Sequence, residues 1–123
     1  MIDKLMAGMK TLADQELRYA RQDHGERFDD FAQAYHALAE EMQESGEDCA
    51  VVRNACETLL REFRITGKVH GIALKRLERF ALSAACELVQ VATVARKMQE
   101  SSLPCCYVPA REEDGEDDAD SDH

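Results

Sequence analysis

Apolar residues at Ile2, Leu5, Met6, Met9, Leu12, Ala13 and Leu17 recur at the spacing of one helical face and predict a first helix over residues 2–20. The polar run RQDHGER, with Gly25 and with Asp23 as a capping residue, separates it from a second helix over residues 26–45. Phe28, Phe31, Tyr35, Leu38 and Met42 are the expected core stripe of that helix. Gly46 is expected to end it, and Glu47 or Asp48 to favour the start of a third helix through the positive end of its dipole. Val51, Ala55, Leu59 and Phe63, flanked by Val52, Cys56 and Leu60, form the third apolar face, with Gly67 as the stop. A fourth helix begins between Val69 and Ile72 and runs to about Glu100, ahead of Pro104, which forbids simple continuation. No strand pattern, internal repeat or Gly-rich phosphate loop interrupts this series. The pattern predicts an all-α four-helix bundle over residues 1–103 and an acidic disordered tail over 104–123.

The fourth helix contains the most apolar stretch, FALSAACELVQVATVA over residues 80–95, with Glu87 as its only carboxylate. A helix apolar nearly all the way round is a buried helix. Burying a polar group without compensation costs roughly 2 to 7 kcal/mol, and a charge costs more. Glu87 therefore needs a partner.

Composition narrows what that partner is. At 123 residues the chain is one domain, short on volume to wrap such a helix alone, so self-association is expected. No apolar run is long enough to span a membrane and the N-terminal helix is amphipathic, so a cytoplasmic location is expected. The five cysteines show no CxxC pair, which argues against a disulfide framework and against structural zinc. Cys49, Cys56 and Cys86 are expected in the core, and Cys105 and Cys106 in the tail. Of the net charge of −10, residues 111–123 contribute −7 through eight acids and one Arg, leaving −3 for residues 1–110. With no basic stripe to release counterions from phosphates, direct nucleic-acid binding is disfavoured.

At 100° per residue, Glu41 lies at the shoulder of the second helix's stripe with Glu44 one turn along, and Glu40 further round. On the fourth helix Arg76, Arg79, Ser83, Glu87, Gln90, Val94 and Lys97 share a stripe distinct from the core stripe of Leu77, Ala81, Ala84, Leu88, Val91 and Ala95. Two partners for Glu87 follow: a cation from another helix or subunit, or a divalent ion shared with Glu41 and Glu44. Oxygen-only ligands select Mg²⁺ or Mn²⁺, and Mg²⁺ is commonly completed by substrate phosphates. Arg79, Arg96 and Lys97 are candidates to meet phosphate charge.

YHALAEEMQE and ALSAACELVQVATVARKM, within a span of roughly seventy residues from Phe28 to Met98, resemble the phage- and bacterium-borne MazG-like proteins of the all-α nucleotide pyrophosphohydrolase superfamily. The first segment carries the EExxE motif on a Tyr-led helix. The second is similar to the EAIQVAAMA of the phage-type branch. The resemblance implies a metal-dependent homodimer or homotetramer that cleaves a nucleoside triphosphate to monophosphate and pyrophosphate. It further implies Glu41, Glu44 and Glu87 as metal ligands, Glu40 as an additional catalytic acid, and Gln90 as a helper at the substrate. Gln90 stands where relatives more often carry Asp, and Gln33 where phage proteins carry an acid. A nucleotide-binding or sequestering protein with weak or no hydrolysis, and a small acidic phage-type protein that inhibits a host factor, are the alternatives.

Overall fold

The computed structural model describes residues 1–25, 27–101, 103 and 108–111, and the described residues form three α-helices and no strand. Helix α1 spans Ile2–His24, α2 Phe31–Thr66 and α3 Gly71–Ser101. Of the expected tail, residues 108–111 are exposed and outside any helix, whereas 104–107, with Pro104, Cys105 and Cys106, and the acidic run 112–123 lie outside the described residues.

The predicted second and third helices are one continuous helix of 36 residues, so the expected bundle of four has three members. Gly46 does not break it. A mid-helix glycine costs about 1 kcal/mol relative to alanine, which strong helix formers on both sides and packing along a neighbour override. A Cβ added at Gly46 meets nothing within 4 Å. Gly46→Ala should therefore raise the unfolding free energy by about 0.5–1 kcal/mol in urea titration, whereas a true break at this point would make the substitution neutral or destabilising.

The cap of α2 is Asp30 rather than Asp23, and the helix starts at Phe31 rather than near residue 26. The Asp30 carboxylate accepts from the Gln33 N–H at 2.8 Å, and the Gln33 side-chain oxygen accepts from the Asp29 N–H at 2.7 Å. This reciprocal arrangement satisfies two donors that the helix cannot. At the other end Gly67, with φ 69°, takes the left-handed conformation and donates its N–H to the Phe63 carbonyl at 2.8 Å, as the sequence predicts.

After that turn α3 returns along α2. The shielded positions of α2 include Ala34, Leu38, Glu41, Ser45, Asp48, Val52, Ala55 and Leu59; those of α3 include Ala73, Leu77, Phe80, Ala84, Glu87, Val91, Val94, Met98 and Ser101, with Val89, Thr93 and Lys97 on an adjoining face. Both series alternate steps of three and four, the spacing of an antiparallel helical seam. Helix α1 packs on the other flank of α3 through Leu17, the Arg96–Asp14 and Arg21–Glu100 ion pairs and the Thr93 hydroxyl. Neither α1 nor α2 packs on the other; α3 is the centre of the fold.

The seam combines Leu38, Val52, Leu59, Leu77 and Phe80 with smaller side chains, and the expected stripe residues Leu38, Ala55, Leu59, Leu77, Ala84 and Val91 are shielded there. Other expected core residues are not. Phe31, Tyr35 and Met42 are 48%, 58% and 66% exposed, and Phe63, Leu82 and Leu88 are also exposed. Of the predicted stripes, Phe28 is buried, but it precedes α2 and packs with Ala34 and Leu103. Cys49 and Cys86 are exposed and only Cys56 is partly shielded, contrary to the expected core placement.

Candidate metal centre and adjoining cleft

The antiparallel register decides which acids meet. Ser83 of α3 donates to the Asp48 carboxylate of α2 at 3.4 Å, which sets position 48 against 83. One turn further along each helix, position 44 stands opposite 87. Glu41 lies a turn from Glu44 on the same face. The carboxylate oxygens of Glu41, Glu44 and Glu87 accordingly fall within 4.8 Å of one another. Glu41 and Glu87 are partly shielded and Glu44 is exposed. The Glu41 Oε2 atom is buried without a hydrogen-bond partner. No cation pairs with Glu87 among the described residues; the described ion pairs join α1 to α3.

Crowding three carboxylates perturbs them. Partial burial first, then the charges of Glu44, Glu87 and Glu40, raise the Glu41 carboxyl above its ordinary value. Loss of hydration, the Glu87 and Glu40 charges and a hydrogen bond to Glu87 raise Glu44 as well. Such a cluster is relieved by a proton or by a cation. Two oxygens bound to one Mg²⁺ at about 2.1 Å lie about 3.0 Å apart when adjacent and about 4.2 Å when opposite. The observed spread is only slightly wider. Three hard oxygen donors with one orphaned oxygen fit a hard divalent ion.

Beside the cluster, α1 and α2 diverge across α3 and leave a cleft of about 480 Å³. Glu40 and Glu41 stand on its α2 wall, Glu16, Tyr19 and Asp23 on its α1 wall, and Gln90, Thr93 and Lys97 on its α3 floor. Glu41 therefore belongs to both the cluster and the cleft. The Gln90 amide donates to the Glu16 carboxylate at 3.0 Å, which turns its oxygen away from Glu16. Lys97 is 5% exposed, with its Nζ 4.5 Å from the centre of the Phe28 ring. Burial and the nearby Arg21 charge lower its pKa, against a smaller opposing effect of Asp29.

The residues singled out from sequence thus divide. Glu41, Glu44 and Glu87 come together; Glu40, Gln90 and Lys97 line the adjoining cleft. Arg79 does not: it lies over the Phe80 ring at 5.4 Å, on the part of α3 away from the cleft. Arg96 points to Asp14 and lines a separate apolar groove with Met6 and Met9. Glu16 and Tyr19 were not foreseen, because α1 carries ordinary amphipathic patterning with no isolated acid to mark it. Asp23, read as a cap, stands at the cleft instead. Comparison with protein-family models, with curated proteins and with solved structures finds no match for the chain.

Proposed function

We propose that this chain is a Mg²⁺-dependent, MazG-like nucleoside triphosphate pyrophosphohydrolase that works as a homo-oligomer and releases a monophosphate and pyrophosphate. The observation that carries this reading is the convergence of Glu41, Glu44 and Glu87 from two helices around an unpartnered buried carboxylate oxygen. Mg²⁺ held there would neutralise phosphate charge and lower the pKa of a bound water. The residues of the chain supply the rest. Glu40, on the same wall of the cleft, takes the proton of the attacking water. Lys97 offers its positive charge to the phosphates from the cleft floor, and Gln90, its amide N–H engaged by Glu16, keeps its amide oxygen as an acceptor for a water or a hydroxyl. Tyr19, exposed on the α1 wall, presents a ring face on which a base stacks. Oligomerisation covers the exposed Phe31, Tyr35 and Met42 stripe of α2.

Electrostatics adds a condition. Among the described residues the cleft is lined by four carboxylates, Glu16, Asp23, Glu40 and Glu41, against one cation, Lys97. A bare triphosphate is repelled by such a surface. Incubation with ribo- and deoxyribonucleoside triphosphates in Mg²⁺ or Mn²⁺ should yield monophosphate and pyrophosphate on chromatography, with neither binding nor product once the metal is chelated. Nucleotide binding that persists undiminished in chelator removes the metal-centred reading. A second reading, a nucleotide-binding protein that does not hydrolyse, is favoured by the amide at Gln90 and its engagement with Glu16. It is distinguished by metal-dependent thermal stabilisation by nucleotide without product.

A further inference from the structure

The end of the α2–α3 hairpin stands clear of the rest of the fold. The polar contacts that hold α1 fall on Gln90, Thr93, Arg96 and Glu100 of α3, toward its other end. Over residues 60–76 every residue except Ala73 is exposed. Five cations, Arg61, Arg64, Lys68, Lys75 and Arg76, stand there with Glu62 as the only acid, a net charge of +4 in a chain of net charge −10. Widening the window to 53–79 adds two cations and two acids and leaves the charge at +4, so the rest of residues 1–110 carries −7. None of the five cations pairs with an acid among the described residues. Along α2, Glu44 of the carboxylate cluster lies about 34 Å from the turn at Gly67 at 1.5 Å per residue, several times the screening length of about 8 Å at physiological salt. The tip therefore presents its positive charge locally, whatever the sign of the whole chain.

Its apolar residues choose among anions. Leu60, Phe63, Ile65, Val69, Ile72 and Leu74 are exposed between the cations, Ile65 by 77% and Ile72 by 63%, and only Phe63 is aromatic. A nucleic acid meets cations with its phosphates and rings with its bases, and it offers nothing to Ile65, Val69 or Ile72. An anionic bilayer takes both kinds at once: the cations meet headgroup charge, and aliphatic side chains enter the acyl boundary to a depth of about 5–10 Å. The shape agrees, because the end of a helical hairpin is convex and a deformable interface accepts it without a preformed groove. Such contact is peripheral, since among the described residues no helix is long and apolar enough to cross a membrane.

We propose that the tip formed by residues 60–76 binds end-on to the surface of an anionic lipid bilayer, with its five cations on the headgroups and Ile65, Val69 and Ile72 inserted beneath them. This inference stands apart from the nucleotide reading and does not depend on it. Its test is sedimentation of the full-length protein with phosphatidylcholine vesicles, with and without about one-third phosphatidylserine, at about 0.1 M salt. Binding to the anionic vesicles should be at least about tenfold tighter and should be lost at about 0.5 M salt, where the screening length falls to about 4 Å. Arg61→Glu/Arg64→Glu should weaken it by more than about tenfold and Ile65→Ser/Ile72→Ser several-fold, with circular dichroism unchanged because all four positions are exposed. The chain has no Trp, so Phe63→Trp is a unique reporter: its emission should shift to the blue on anionic vesicles, whereas that of Leu12→Trp, on α1, should not. Absence of binding, equal binding to both vesicle types, or a shift confined to Leu12→Trp overturns the proposal. So does tight binding of duplex DNA or single-stranded RNA that Ile65→Ser/Ile72→Ser leaves intact, which assigns the tip to nucleic acid. Self-association that the same variant abolishes, without vesicle binding by the unmodified chain, overturns it in favour of a contact between copies.

Discussion

Glu87→Gln is expected to lower pyrophosphohydrolase turnover by about 10²–10⁴-fold and, in the same protein without metal at neutral pH, to raise thermal stability. The two effects have one cause. Glu87 contributes to the repulsion that raises the Glu41 and Glu44 carboxyls, so neutralising it relieves the folded state. The same change removes one of three oxygen-donor carboxylates and its charge. The opposed signs separate this site from a structural ion pair: neutralising a carboxylate that is paired with a buried cation leaves that cation uncompensated and destabilises by about 3–5 kcal/mol. Kinetics and calorimetry on the one variant decide between them. A melting temperature that falls together with unchanged turnover abandons the carboxylate centre.

Saturating Mg²⁺ should stabilise the protein at neutral pH by about 2.7 kcal/mol at a hundredfold excess over Kd. For a domain of this size that is a rise of about 10 °C in melting temperature. The effect should fade on acidification, and the sign follows from the raised carboxyls. Glu41 and Glu44 take up protons in the folded protein above the ordinary value of 4.5, at a pH where the unfolded chain remains ionised. Between neutrality and about that value, the folded state binds more protons than the unfolded one, so metal-free stability from this cluster increases as pH falls. Protonation and Mg²⁺ relieve the same repulsion and compete. The exposed Glu44 is screened by solvent and contributes less than Glu41. Differential scanning calorimetry at pH 7.5 and pH 5, with and without Mg²⁺, checks this. An equal shift at both pH values, or an undiminished shift in Glu41→Gln, assigns the cation effect to some other part of the chain.

How far the sequence leads depends on the kind of statement. Helical periodicity, the stop at Gly67 and the absence of a strand pattern were all legible, because they rest on local φ/ψ preferences and on side-chain spacing. Gly46 misled for a related reason: propensity is a local cost of about 1 kcal/mol, and tertiary packing along a long hairpin outweighs it. Part of the core was misplaced, for a steric reason. Hydropathy points to Phe31, Tyr35 and Met42 as well as to Leu38 and Leu59, whereas α2 shields only the latter two of these, beside Ala34, Ser45 and Ala55. Small residues let two backbones approach, and Phe31, Tyr35 and Met42 are left for another surface.

The candidate site shows the same division. One carboxylate isolated in an apolar stretch, and a pair one turn apart on another helix, singled out Glu87, Glu41 and Glu44 from the sequence alone, since a buried charge demands compensation wherever it falls. That these three oxygens meet within 4.8 Å, that Arg79 and Arg96 turn elsewhere, and that Glu16 and Tyr19 form the facing wall were decided only by tertiary structure. The register of α2 against α3 and the side on which α1 lands are set by long-range packing. Periodicity along one helix holds no information about the helix opposite.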